Sequence, residues 1–280
     1  MQEGCVLCPR KCGVDRNIQR GACNAPCFPY VAKAALHMWE EPCISGKRGS
    51  GAIFFCGCNL KCVFCQNYDI SNGSVGKMYD AEGIAELMLC LQGKGAHNVN
   101  LVSPAPFVPV ADAIRAAKNR GLSIPVVYNT NSYETLEALR MLDGLVDIYL
   151  PDLKYVSGAV SKKYSGTENY FEYAAPAVQE MFRQTGLLEL DGDGLANKGV
   201  IIRHLVLPGS VDETRRVLKY IAENFPKNIT VSLMSQYVPC YKAEKIPPLN
   251  RKLLRREYER AVDYCLSLGL ENAFIQKMDS

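Results

Sequence analysis

The chain has 280 residues, 48% hydrophobic and 22% charged, with a net charge of +3. That is globular composition with ample length for a core, in one large domain or two small ones. So mild a charge argues against a long nucleic-acid partner, which calls for a basic stripe. No apolar run approaches the roughly 18 residues of a membrane span. The opening MQEGCVLCPRKCG has no apolar signal stretch. The expectation is a soluble, cytoplasmic chain with no membrane role.

Residues 1–50 are rich in Cys, Pro and Gly and contain one short apolar stretch, Tyr30–Met38. They read as a small metal-binding segment, either a stapled subdomain or a lid on a larger domain at 51–280. From there, β-branched runs alternate with amphipathic stretches. The predicted strands are Gly51–Phe55, Val99–Val102, Ile124–Tyr128, Val146–Leu150, Val200–Leu207, Ile229–Leu233 and a weak Ala273–Ile275. The predicted helices are Ala81–Leu91, Pro109–Arg120, Tyr133–Leu142, Tyr170–Gln184, Glu213–Asn224 and Lys252–Leu268. Gly121, Gly144, Gly186 and Gly269 follow helix ends, as C-terminal caps do. Such alternation predicts an α/β fold with a parallel sheet and right-handed crossovers. Polar residues recur where strands end: Cys58, Ser103, Asn129 to Asn131, Asp152 with Lys154, and Ser235 with Gln236. In barrels and open parallel sheets alike, these ends form the active site.

Cysteine is the abnormal residue. Of 13, ten (Cys5, Cys8, Cys12, Cys23, Cys27, Cys43, Cys56, Cys58, Cys62 and Cys65) precede residue 66. A chain of this length with no secretion signal is more simply a metal or iron–sulfur protein than a disulfide scaffold. The sharpest pattern is FFCGCNLKCVFCQN, in which a strand runs into Cys58-x3-Cys62-x2-Cys65. Three thiolates hold three corners of a [4Fe–4S] cluster and leave one iron open for chemistry, whereas a zinc knot usually takes four protein ligands. Cys56 belongs to the strand and is expected to pack rather than ligate.

This pattern resembles the CxxxCxΦC signature of the radical SAM superfamily, with Phe64 as the aromatic Φ. Further stretches narrow the resemblance to the pyruvate formate-lyase activating enzymes and, within them, a PflX-like subgroup. They are CVLCPRKCGVDR, EEPCISG, GSG, NLVSPAPFVP, VVYNTNSYE, DIYLPDLKY, IRHLVLPGS, SLMSQYVP and ENAFIQ. The resemblance implies a partial (β/α)6 TIM-type barrel behind a Cys-rich N-terminal extension. It also implies a radical SAM oxidoreductase that reductively cleaves S-adenosylmethionine (SAM) to methionine and a 5′-deoxyadenosyl radical for hydrogen abstraction. A flavodoxin- or ferredoxin-type reductant is implied too, as is a protein or peptide substrate such as a glycine Cα of a glycyl radical enzyme. Another peptide, RNA or a small molecule is the alternative within this class. A non-catalytic iron–sulfur or zinc scaffold is the alternative outside it.

By the same resemblance, Ser103, Pro104 and Ala105 stand where Gly-Gly-Glu contacts the SAM amino group. Asn129 and Thr130 stand near the SAM methionine and a monovalent cation, with Asn129 replacing the usual aspartate. Asp152 and Lys154 match an Asp-x-Lys beside SAM, where a lysine pairs with carboxylate and an aspartate orients it. Arg203 and His204 are adjacent in a strand and point to opposite faces. Arg203 is expected to face inward as a carboxylate or substrate clamp, and His204 to be buried and satisfied. His37 is expected to help dock the N-terminal segment.

Cys5-x2-Cys8-x3-Cys12-x10-Cys23 forms a second set able to hold zinc or another [4Fe–4S] cluster. Cys43, Cys90, Cys240 and Cys265 read as core or loop residues. DGDG at 191–194 reads as a turn, and RKLLRREYER as a solvated helix face. The glycine-rich run Ser45–Gly51 is expected to let backbone approach the cluster loop.

Overall fold

The computed structural model describes residues 4–73, 75–103 and 108–278. In chain order the elements are β1 (Tyr30–His37), α1 (Pro42–Ser45), β2 (Ser50–Phe55), α2 (Tyr68–Ser71), β3 (Lys77–Met78) and α3 (Ala81–Gly93). Next come β4 (Val99–Val102), α4 (Val108–Asn119), β5 (Val126–Thr130), α5 (Leu136–Arg140), β6 (Ile148–Pro151), α6 (Gly158–Ser165) and α7 (Tyr170–Thr185). The last are β7 (Glu189–Leu190), β8 (Ala196–Leu205), α8 (Val211–Asn224), β9 (Thr230–Met234), a 3₁₀ turn at Tyr241–Lys245, α9 (Arg255–Ser267) and β10 (Ala273–Ile275).

Strands β2, β4, β5, β6, β8, β9 and β10 pair in that order, each parallel to the next. A sheet wound in one direction has no point where strand order reverses, unlike a doubly wound sheet, and curls toward a barrel. Among the described residues its edges do not close, so the architecture is α/β with a partial barrel.

Every second residue of a strand faces the same way. Val127, Ile148, Leu150 and Ile201 face the lumen and pack on Cys43 and Ile44 of α1, which closes the barrel floor. Their neighbours Tyr128, Tyr149 and Ile202 face the helices in the larger core. Asn129, Asp152 and Arg203 each lie two residues beyond a lumen residue, so the lumen register carries them to the mouth.

Three sequence expectations change. Tyr30–Met38 is a strand: β1 pairs antiparallel with β2, from Val31 opposite Phe55 to His37 opposite Ser50. The N-terminal segment therefore shares the barrel's sheet. The helix predicted over Tyr133–Leu142 shrinks to Leu136–Arg140 because the Thr135 hydroxyl caps it, accepting from Ala138 N–H. The glycine run at 45–51 lies at the opposite end of β2 from the cluster loop. A Cβ on Gly46 would meet His97 and Leu195, and one on Gly51 would meet the Asn98 carbonyl at 2.9 Å. Its backbone approaches the floor, not the cluster loop.

Candidate active site

The cluster loop leaves the carboxyl end of β2, and four segments of the fold grip it. Gly57 N–H donates to Ile70 O at 2.9 Å, and Cys58 N–H to Cys23 O at 3.0 Å. Lys61 and Val63 donate their N–H groups to Ser165 O and Tyr164 O at 3.1 and 2.8 Å. Asn59 Nδ2 donates to Tyr133 O. Gly57 has φ +88°, and a Cβ there would stand 2.6 Å from Cys23 O. We expect Gly57→Ala to lose about 2–3 kcal/mol, combining left-handed strain with a backbone clash, read by thermal unfolding.

Cys58, Cys62 and Cys65 are half-buried. Asn131 Nδ2 donates to Cys58 Sγ at 3.3 Å, and Cys62 Sγ lies 3.0 Å from Ser165 Oγ. Burial, with the Cys62 charge adding to it, pushes the Cys58 thiol up to about 12. Burial also raises Cys62, against the opposing pull of Lys154 and Ser165. Metal binding therefore displaces protons from these thiols.

The donor set fits a [4Fe–4S] cluster with one open iron. Three sulfurs share one loop, while Cys56 turns away and donates to Val75 O. Among the described residues, no three His, Cys, Asp or Glu side chains are gathered as ligands of a single metal ion. Cubane ligands each take a different iron, so their sulfurs do not converge on a point. A further thiol, Cys240, borders Cys65 and donates to Phe64 O at 3.5 Å. The Phe64 ring itself is buried against Tyr237, at 6.1 Å between centroids.

Across the mouth, Lys154 Nζ lies 2.7 Å from Asp152 Oδ2. Arg203 Nε and Nη2 lie 3.0 and 2.8 Å from Asp152 Oδ1. The same guanidinium donates to Asn129 Oδ1 at 2.6 Å and reaches Glu40 Oε2 at 3.4 Å. Burial opposes every charge in this row, yet the row is self-consistent. Arg203 and Lys154 hold Asp152 below its ordinary pKa, and Asp152 raises both cations. Glu40 is different: burial outweighs Arg203 and raises its pKa. The result is a buried line of alternating charge running from the floor at Glu40 to Lys154, whose charge acts on Cys62. Glu213 Oε1 on α8 accepts from Val156 and Ser157 N–H, both at 2.6 Å, and so holds the loop that carries Lys154.

The sequence-predicted residues divide by face. Asp152, Lys154, Asn129 and Arg203 come together with the cysteine loop. His204 faces α8, with Nδ1 2.7 Å from Leu153 O and Nε2 3.0 Å from Thr214 Oγ1. Burial lowers its pKa to about 4, so it is neutral. Thr130, expected beside Asn129, points to the helix side and donates to Glu134. Ser103 ends β4 with φ +52°, a conformation glycine favours, and donates its N–H to Asn129 O at 2.8 Å. Pro104 and Ala105 lie outside the described residues. His37 sits in β1 with its ring against Phe54. Asn131, expected at the mouth as a polar strand-end residue, reaches Cys58. Glu40 and Ser165 carried no signal in the sequence.

Cys5, Cys8, Cys12 and Cys23 are also brought together. Cys8 feels the charges of Cys23, Cys5 and Cys12, and the Cys12 thiol is hydrogen-bonded to Cys5, with all four thiols free. Arg16 donates Nε to Cys5 Sγ at 3.0 Å and Nη2 to Cys23 Sγ at 3.3 Å.

Behind β5, the fully buried Glu134 carboxyl accepts from Thr130 and from Tyr128 Oη, and burial raises its pKa from 4.5 to about 7. The folded state binds this proton more tightly than the unfolded state. Its contribution is therefore full below pH 4.5 and is lost as pH rises toward 7. Glu134→Gln should lack that loss. The stability difference between parent and variant should change by roughly 2–3 kcal/mol between pH 5 and 8, and parallel curves would contradict it. His204 titrates with the opposite sign but is common to both proteins, so it cancels.

Comparison with known proteins bears on the family and the fold. The model of the Radical SAM superfamily matches residues 52–221. An uncharacterized protein of Methanocaldococcus jannaschii is 33% identical over 277 residues, covering 96% of this chain and 76% of its own. SuiB of Streptococcus suis, solved with its precursor peptide SuiA, has a TM-score of 0.53 at 16% identity, over 75% of this chain and 44% of SuiB. SuiB bound to S-adenosylmethionine gives 0.52 at 17% identity, over 75% and 45%. HydG, a maturase of the [FeFe]-hydrogenase, gives 0.51 at 16% identity, over 77% and 48%. The chain spans less than half the length of these solved proteins, and at such identities the likeness is one of fold.

Proposed function

Because this chain belongs to the radical SAM superfamily, we propose that it is an activating-enzyme-type oxidoreductase that makes a radical on a peptide or protein substrate. The observation that carries this reading is the meeting of two groups at one barrel mouth: three cysteine sulfurs and the Lys154–Asp152–Arg203 row. Cys58, Cys62 and Cys65 would hold a [4Fe–4S] cluster, which when bound would supply the one electron that reductive cleavage of SAM requires. The chain's own residues bind and orient. Lys154 would meet the SAM carboxylate, while Asp152 holds Lys154 and Arg203 fixes Asp152 from below. Asn129 and Ser103 present polar groups on neighbouring strand ends.

A glycine Cα of a partner enzyme is the proposed substrate, on the resemblance to the pyruvate formate-lyase activating enzymes and the PflX-like subgroup. That SuiB, of similar fold, was solved bound to a precursor peptide supports a peptide as the class of substrate. A flavodoxin or ferredoxin is the proposed reductant, and Cys5, Cys8, Cys12 and Cys23 are proposed to hold a second metal. No helix of the described residues is long and apolar enough to cross a membrane.

The test incubates reduced protein and SAM with a candidate glycyl radical enzyme and looks for the organic radical by EPR. A radical doublet that needs this chain supports the reading. 5′-Deoxyadenosine formed without any doublet moves the substrate elsewhere in the class. A second reading rests on Cys240 beside Cys65: a fourth thiolate there would close the cluster and make an electron carrier. Under the enzyme reading, Cys240→Ser leaves the response of the cluster signal to SAM intact.

A further inference from the structure

We infer that Glu40, which the N-terminal segment carries into the barrel, is a positioning residue for SAM. It fixes Arg203 and Asn129, and through Arg203 and Asp152 it fixes Lys154. The inference rests on the proposed function, which puts SAM at Lys154.

The first observation is an inversion of the usual burial. Trp39, the only tryptophan of the chain, is 83% exposed, whereas the side chain of the neighbouring Glu40 is 10% exposed. Burial of apolar surface alone would turn the tryptophan inward and the carboxylate out. The partners of Glu40 hold the opposite arrangement. Oε2 lies 3.4 Å from Arg203 Nη1, and Oε1 accepts from Asn100 Nδ2 at 3.1 Å and from Asn129 Nδ2 at 3.4 Å. The backbone is pinned as well. Glu40 N–H donates to Ser45 Oγ at 2.9 Å, and Asn98 Nδ2 donates to Ile44 O at 2.7 Å, so α1 sets the height of Glu40 in the lumen.

The second observation is the orientation of Asn100. This residue of β4 is fully buried, and its Oδ1 has no hydrogen-bond partner among the described residues. An unpaired buried carbonyl is a cost that folded chains seldom carry. Turned the other way, the amide would set its oxygen against the Glu40 carboxylate. The carboxylate therefore orients this amide.

The third observation is a closed ring of three side chains. Asn129 donates to Glu40 through Nδ2 and accepts from Arg203 Nη2 at 2.6 Å through Oδ1, while Arg203 Nη1 returns to Glu40. Arg203 holds Asp152 through Nε and Nη2, so Glu40 engages the remaining end of the fork. A guanidinium gripped at both ends cannot swing, and Asp152 with Lys154 keeps its place. Glu41 adds its charge to Arg203 but makes no ion pair with it among the described residues.

The experiment uses the full chain, reconstituted anaerobically with iron and sulfide, with Glu40→Gln and Asn100→Ala beside the parent. The cluster EPR signal is titrated with SAM, and 5′-deoxyadenosine formation is followed at varied SAM. Glu40→Gln keeps shape and loses charge. It is expected to raise the half-saturating SAM concentration and the KM for SAM by about 10-fold. Its kcat at saturating SAM, iron content and SAM-free signal should match the parent. Asn100→Ala leaves the carboxylate but removes a donor that orients it, and should shift half-saturation the same way by about threefold. It decides the matter alone if Glu40→Gln does not fold. A half-saturation equal to the parent's overturns the inference, whether or not melting temperature and iron content fall, since lost stability alone is a structural role. A parent whose signal still responds to SAM then leaves the proposed function standing. A parent with no SAM response and no product defeats the proposed function itself.

Discussion

Cys62→Ala is expected to lower 5′-deoxyadenosine formation by about 10⁴-fold or more, the scale of losing an obligatory catalytic group. The loop holds no substitute for this sulfur. Three sulfurs are the minimum for a cubane that keeps one iron open, and Cys56 is turned to Val75 O behind the strand. Protein iron should fall with activity, while the barrel stays folded because the loop keeps its backbone bonds to Tyr164 and Ser165. Ser165→Ala gives the scale for comparison. It removes only a hydroxyl 3.0 Å from Cys62 Sγ and should cost roughly 10–100-fold, as losses of supporting groups around metals do. Product and iron counts measured side by side check both. Equal losses in the two variants would mean that Cys62 is not a ligand.

Arg203→Met should destabilise the protein by about 3–5 kcal/mol, the cost of removing one partner from a buried ion pair. Arg203 and Asp152 side chains are 12% and 18% exposed, so solvent screens little of their interaction. The substitution strands Asp152 with Lys154 alone and leaves Glu40 and Asn129 without the guanidinium. For a chain of this size the melting temperature should fall by roughly 10 °C. Arg203→Lys keeps the charge but not the fork that reaches three partners, so its loss should be smaller yet clear. Adding Asp152→Asn to Arg203→Met should cost less than the sum, since each change relieves the charge the other strands. Calorimetry on the four proteins decides it. An unchanged melting temperature for Arg203→Met would remove the charge row from the account.

The barrel strands were legible because each is apolar on both faces, and Ala273–Ile275 was found although short. β1 was not, because its short apolar stretch YVAKAALH is interrupted by a lysine and lies in the Cys-rich segment, outside the alternation of strands and helices. α6 was missed for a related reason: GAVSKKYS is polar, and Ser157 caps it only once the loop after β6 is placed. In the site, the cysteine loop was legible from spacing alone. Alternation put Arg203 and His204 on opposite faces, and only the expected clamp role of an arginine chose Arg203 as the inward one. The same rule separates Asn129 from Thr130, whose adjacency in β5 guarantees opposite faces. Glu40 was illegible. Two acids before a proline look like surface, and only the entry of α1 into the barrel floor explains why one of them meets Arg203.

The account's central claim is that the mouth of this barrel holds a cluster with one iron open to SAM. EPR of the anaerobically reduced full chain, recorded with and without SAM beside an assay for 5′-deoxyadenosine, tests it most directly. The account predicts a signal that changes when SAM is added, together with product that Cys62→Ala abolishes. A spectrum indifferent to SAM, with no product, would contradict it and leave a cysteine-rich electron carrier or scaffold.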